Sequence, residues 1–189
     1  MSDDVEMVPP GHLAGVPDEF ERLWTPHRMA YINAGAEAND GYGCPFCRVP
    51  EMSDEDGLIV FRGDLAYVVM NLYPYNSGHV LVCPFRHVAL YDEATPEEIA
   101  EVAILTQQAM RVVRAVFSNE GFNLGMNQGR VSGAGVAEHL HQHIVPRWST
   151  DANFMPIIAK TKAMPRLLSD VRQQLAEAWE PHRFDPSSG

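Results

Sequence analysis

Cysteine is scarce in this chain, with three in 189 residues. So few thiols build no disulfide framework. Cys44 and Cys47 form a C-x-x-C pair and Cys83 stands alone, a pattern that in a reducing compartment points to metal or redox chemistry. Positive charge is also scarce: 14 Lys and Arg face 25 Asp and Glu, a formal net charge of -11. Without a basic stripe to neutralise phosphates, no general nucleic-acid partner is expected. The same deficit argues against a membrane partner held by anionic lipid. No apolar run nears the roughly 18–20 residues that span a bilayer. The first residues, Met1-Ser2-Asp3-Asp4, lack the basic-then-apolar order of a signal peptide. A cytoplasmic location is therefore expected.

What is present is the composition of a globular protein: 46% hydrophobic and 9% aromatic residues, enough for one core with arms. Pro9, Pro10, Gly11, Gly15 and Pro17 mark an unpatterned start. Phe20, Leu23, Trp24, Met29, Tyr31 and Ile32 suggest two short helical pieces. Residues 1–40 are read as an N-terminal arm, 41–160 as the main domain and 161–189 as a C-terminal helix and tail. Residues 33–57 read as a long loop, which a metal clip at the C-x-x-C would tie down. Apolar, β-rich runs at 58–61, 65–72 and 79–84 predict a strand meander. Thr95 offers an N-cap, Pro96 suits the first helical position, and the apolar spacing from Ile99 to Phe117 predicts a helix at about 96–118. Strand signals return at 122–127 and 139–146, with a Gly/Ser turn between, and a second helix is expected at 167–179. The fold class is α+β, an antiparallel sheet with a long helix packed on it.

Five of the eight histidines lie between residues 79 and 143, and three of them form His139-Leu140-His141-Gln142-His143. On a strand, alternate side chains share a face, so this is a row of imidazoles roughly 7 Å apart. Leu140, Ile144 and Val145 mark the strand as packed rather than solvated. Such a row can bind metal, transfer protons or attack as a nucleophile. Just upstream, the glycines of 127–135 let backbone N–H groups turn toward an anion.

The row with Ile144-Val145-Pro146-Arg147, together with 71–82 and 121–127, resembles the signature of the histidine-triad (HIT) family of nucleotidyl hydrolases and transferases. The stretch 148–156 resembles a branch related to diadenosine tetraphosphate phosphorylases. The resemblance implies a HIT-like fold with extra terminal segments, and a homodimer. It implies that His141 attacks an α-phosphorus to form a nucleotidyl-histidine, and that His143 bonds the phosphate oxygens or the leaving group. Asn127, Gly135 and Val136 would hold phosphate, and Asn71 the ribose. Val69, Met70 and Leu72 would lie near the purine, His79 near the site, and Trp148 along the substrate channel with Phe154. One departure is visible: Gly135-Val136-Ala137-Glu138 stands where many members carry Gln-Ser or Gln-Thr. Zinc-bearing members use two cysteines, a later histidine and the first triad histidine. On that pattern Cys44, Cys47, His87 and His139 would hold a structural zinc. The expected function is cleavage of an α-phosphate bond in a purine nucleotide, for example a dinucleoside polyphosphate, with water or phosphate as acceptor. A nucleoside phosphoramidase, an AMP-binding module with little turnover, and a zinc-stabilised interaction protein are the alternatives.

Overall fold

A computed structural model of the protein describes residues 43–149, 151 and 166–183. The expected arm at 1–40, Phe154 and most of the stretch 148–156 lie outside the described residues. Among the described residues a short helix, α1 (Pro45–Arg48), comes first, then a 3-10 turn at Val49–Glu51. The described part of the expected loop thus contains helical turns, each with a proline at its first or second position, where the missing N–H needs no partner.

Five strands follow: β1 (Ile59–Arg62), β2 (Ala66–Met70), β3 (Val80–Pro84), β4 (Gly121–Gly125) and β5 (Gln142–Arg147). Every pairing is antiparallel. The sheet order is β1-β2-β3-β5-β4, so only the first three strands form a simple meander. The long helix α2 (Pro96–Phe117) carries the chain across the sheet to β4, and β5 returns into the space between.

Helix α2 starts as its sequence demands. The Thr95 side chain accepts from the Glu98 N–H, and the Glu98 carboxylate accepts from the Thr95 N–H, closing a capping box. Glu98 is buried, and Arg86 grips both of its oxygens at 2.8 and 2.7 Å. That guanidinium lowers the carboxyl pKa. The helix ends at Ser118, which takes the left-handed conformation (φ 50°).

The two faces of the sheet have different jobs. Met70, Val80, Val82 and Ile144 pack against Val102, Leu105, Ala109, Val112 and Val113 of α2. A last helix, α3 (Leu168–Glu177), adds Val171 and Leu175 to this same core, and Trp179 stacks on Phe61 at 4.6 Å. On the other face one lateral row runs through all five strands: Ile59, Val69, Leu81, His143, Gly125. Its first three members pack with Tyr67 and Cys83 under Phe46, Val49 and Phe85. The row then passes into polar chemistry at His143. Among the described residues no helix is long and apolar enough to cross a membrane.

Gly78 sets the entry to β3. Its φ is +79°, and a Cβ there would meet Phe117 at 2.9 Å. The turn it makes delivers His79 into the interior.

Candidate active site and metal centre

The expected strand at 139–146 begins later, at Gln142. His139, Leu140 and His141 lie ahead of it for a covalent reason. Pro84, which would continue the ladder on β3, has no N–H to give. Its carbonyl instead accepts from His139 Nε2 at 2.9 Å. The segment is held by Leu140, whose N–H donates to the Val88 carbonyl at 2.7 Å. The three imidazoles therefore do not form one straight row. His139 turns to one group of partners, and His141 and His143 to another.

Around His139 the structure gathers Cys44, Cys47 and His87, with donor atoms all within 4.8 Å of one another. Cys44 Sγ lies 3.3 Å and Cys47 Sγ 3.5 Å from His139 Nδ1, and Cys47 Sγ lies 3.2 Å from His87 Nδ1. Four-coordinate bonds of zinc's length put neighbouring donor atoms roughly 3.3–3.8 Å apart. The bond from His139 Nε2 to the Pro84 carbonyl fixes the proton on Nε2, because a carbonyl only accepts. It leaves the Nδ1 lone pair aimed at the thiols, the usual support for a ligating histidine. Burial and the adjacent Cys44 push the Cys47 thiol up to about 11, a crowding that a divalent ion relieves by taking both sulfurs as thiolates. The residues present fit a tetrahedral metal ion.

The second group is a chain of ring nitrogens whose protons the backbone assigns. The Tyr75 N–H donates to His79 Nδ1 at 3.0 Å, so the neutral His79 carries its proton on Nε2. That proton is donated to His143 Nδ1, 3.0 Å away. His143 must then bear its own proton on Nε2. His141 is set the opposite way: its Nδ1–H donates to the His139 carbonyl at 2.7 Å, which leaves a lone pair on Nε2. The two rings stand 5.0 Å apart, edge to face. The result is a pair of imidazoles, one with a free lone pair and one with a free N–H. Burial lowers the pKa of His139 and of His141. It lowers His143 to about 4, with His141 adding to the effect. In all three the shift favours the neutral ring.

Beside His143 opens a cavity of about 500 Å³, walled by Tyr75, Asn123, Gly125, Asn127, His143 and Arg147 among others. Gly125 pairs directly with His143 across the sheet, and its missing side chain leaves the ring open to the cavity. At the far wall Arg147 donates to both oxygens of Asp151 and to Asn123 Oδ1. Asn76 ties the same Asp151 to the Pro146 carbonyl.

Set against the expected site residues, His143 and Asn127 line the cavity, and His141 lies beside His143 rather than in that wall. Gly135 and Val136 sit in the loop that enters the histidine segment. Asn71 places its Oδ1 on the Tyr73 N–H at 3.0 Å, with Nδ2 3.4 Å from the His79 ring nitrogens. His79 is near the site but fully buried; it stands behind His143, so it supports that ring rather than touching a ligand. Met70 is a correction. It is one residue out of phase with Val69 and faces the α2 core, 3% exposed, away from the histidines. Leu72 is 60% exposed on the following turn. Trp148 is half-buried, with its backbone N–H on Asp151. Sequence reasoning missed Tyr75, which stacks on His79 at 5.1 Å and on His143 at 6.0 Å. It also missed Asp151, for which the spacing of four residues from Arg147 was the available signal.

Comparison with known proteins identifies the family. The HIT domain model matches residues 53–150. An AP-4-A phosphorylase of Mycobacterium tuberculosis is 46% identical over 170 residues, covering 87% of each chain. A bis(5'-adenosyl)-triphosphatase of Dictyostelium discoideum is 37% identical over 49% of this chain and 62% of its own. A histidine triad nucleotide-binding protein of Sulfolobus tokodaii superposes with a TM-score of 0.60 at 27% identity, over 73% of this chain and 93% of its own. The chain belongs to the HIT family, and its α+β fold is the HIT fold.

Proposed function

We propose that the protein is a nucleotidyl transferase that cleaves an α-phosphate bond of a dinucleoside polyphosphate such as diadenosine tetraphosphate, through a nucleotidyl-His141 intermediate. The observation that carries the reading is the opposite tautomers of His141 and His143. The His141 Nε2 lone pair attacks the α-phosphorus, the bond to the leaving phosphate oxygen breaks, and the leaving group departs as ATP. The His143 Nε2–H donates to a phosphate oxygen or to that leaving oxygen as its charge develops. The acceptor then displaces His141. Phosphate gives ADP; water gives AMP. The 46% identity to a protein named AP-4-A phosphorylase favours phosphate.

Asn127, with the loop at Gly135 and Val136, contributes phosphate contacts, Asn71 and Leu72 the nucleoside side, and Trp148 the channel wall. Zinc would be held by Cys44, Cys47, His87 and His139, where it supplies a closed structural clip rather than chemistry. The division into an arm at 1–40, a HIT domain at 41–160 and a tail at 161–189 is supported by the family match inside the second. The packing of α3 makes the tail part of the same core. A homodimer fits the exposed Ile104 on α2 and Leu124 on edge strand β4, and sedimentation velocity tests it; the cytoplasmic location rests on the sequence alone.

The deciding experiment mixes the protein with diadenosine tetraphosphate, with and without phosphate, and follows products and intact mass. ADP plus ATP only with phosphate establishes phosphorolysis; AMP plus ATP without it establishes hydrolysis. No product and no acid-labile AMP adduct would sink the reading.

A further inference from the structure

The His141 ring is held on three sides. Its Nδ1–H is on the His139 carbonyl, and His143 stands edge-on to it. On the third side lies the ring of Phe46, with centroids 4.9 Å apart and planes tilted by 37°. Phe46 comes from the metal cluster: it sits between Cys44 and Cys47 on α1. Its own place is closely fixed. The Cys44 carbonyl accepts from the Cys47 and Arg48 N–H groups at 3.1 and 3.2 Å. The Phe46 carbonyl accepts from the buried Tyr67 hydroxyl at 2.7 Å. The Phe46 ring also meets His139 edge-on at 5.6 Å. One aromatic side chain thus touches both a ligand of the cluster and its neighbour in the other group.

We propose that Phe46 is a positioning residue that transmits the geometry of the Cys44, Cys47, His87 and His139 cluster to the His141 ring. The inference rests on the reading of His141 as the nucleophile. An imidazole turns about a broad terminal torsion, and a single hydrogen bond at Nδ1 leaves the ring plane loosely set. A flat ring packed on that plane narrows the swing of Nε2, and a misplacement near 1 Å at a reacting atom costs up to about 100-fold in rate. The C-x-x-C clip is then more than a staple. By holding α1 it holds Phe46, and by holding Phe46 it aims the nucleophile.

The test uses Phe46→Leu, which keeps apolar volume but removes the flat ring, and Phe46→Tyr, which restores the ring. Three quantities are read on the full chain: kcat and KM for diadenosine tetraphosphate, bound zinc, and solvent exchange of the His141 Nδ1 proton by NMR. In Phe46→Leu, kcat falls about 10-fold or more with KM within about 3-fold. Bound zinc stays at the wild-type level and the Nδ1 proton exchanges about 10-fold faster. Phe46→Tyr returns kcat and exchange toward wild type. Unchanged exchange overturns the proposal, and so does zinc loss that parallels the loss of rate, since Phe46 would then act only on the cluster. Should the wild-type protein not turn the nucleotide over, the enzymatic reading fails while the exchange measurement still decides the role of Phe46.

Discussion

His139 and His143 are the same residue type, four positions apart, yet they serve different regions. His139 gives its Nε2–H to the Pro84 carbonyl and turns its lone pair to two thiols. His143 accepts a hydrogen bond from His79 at Nδ1 and turns its own N–H to an open cavity. The metal corner is closed by Phe46 and the thiols; the reactive corner is opened by Gly125. What an imidazole does here is decided by which of its nitrogens a neighbour occupies, a backbone carbonyl for His139 and the His79 ring for His143.

The comparison is tested most severely at His141, the proposed nucleophile. His141→Asn is expected to lower turnover by about 10,000-fold while nucleotide still binds; single-turnover kinetics with equilibrium dialysis read both. Retained turnover would place the reaction elsewhere. In the metal corner the loss should be of stability first. Stripping the ion, or Cys44→Ser, is expected to lower Tm by on the order of 10 °C, seen by scanning calorimetry alongside metal analysis. If Tm did not move, the cluster would not be a structural site.

Next comes the support for His143. His79→Asn removes the ring that sets its tautomer and is expected to cut kcat about 10- to 100-fold with little change in KM. The nitrogen-15 shifts of His143 should show the proton moving from Nε2. A change in KM alone would make His79 a binding residue after all.

Smaller effects come from pH and from the cavity wall. Burial holds His143 down to about 4, so its ring signals should titrate there rather than near 6.5. In the folded chain the protonated form is disfavoured. Between about 6.5 and 4 the unfolded chain binds more protons, so stability falls as pH drops through that window. NMR titration and Tm against pH check the two halves of this statement. Least of all, Asp151→Asn breaks an ion pair whose Arg147 partner is 46% exposed. The expected cost is under about 1 kcal/mol by urea unfolding.

Much of this was legible in the chain. The capping box at Thr95, the period of α2 and the apolar runs of the strands are local, so composition and spacing reveal them. The HIT resemblance carried over the ligand set Cys44, Cys47, His87 and His139, whose members lie up to 95 residues apart. Met70 shows the limit. A run that is apolar on both faces carries no phase, so which of Val69 and Met70 faces the histidines depends on register with β3. The strand start was misjudged because Pro84, which cannot extend the ladder, is remote from His139 in sequence.

By itself, then, the amino-acid order determined the elements, the acidic surface and the presence of a histidine row, because each depends on neighbours along the chain. Tertiary structure alone decided which nitrogen of His79, His139, His141 and His143 carries the proton. It also decided which face Met70 takes, and that the Phe46 ring meets both His139 and His141. Those facts depend on carbonyls, N–H groups and rings brought together from distant segments, and their directions exist only once the chain has folded.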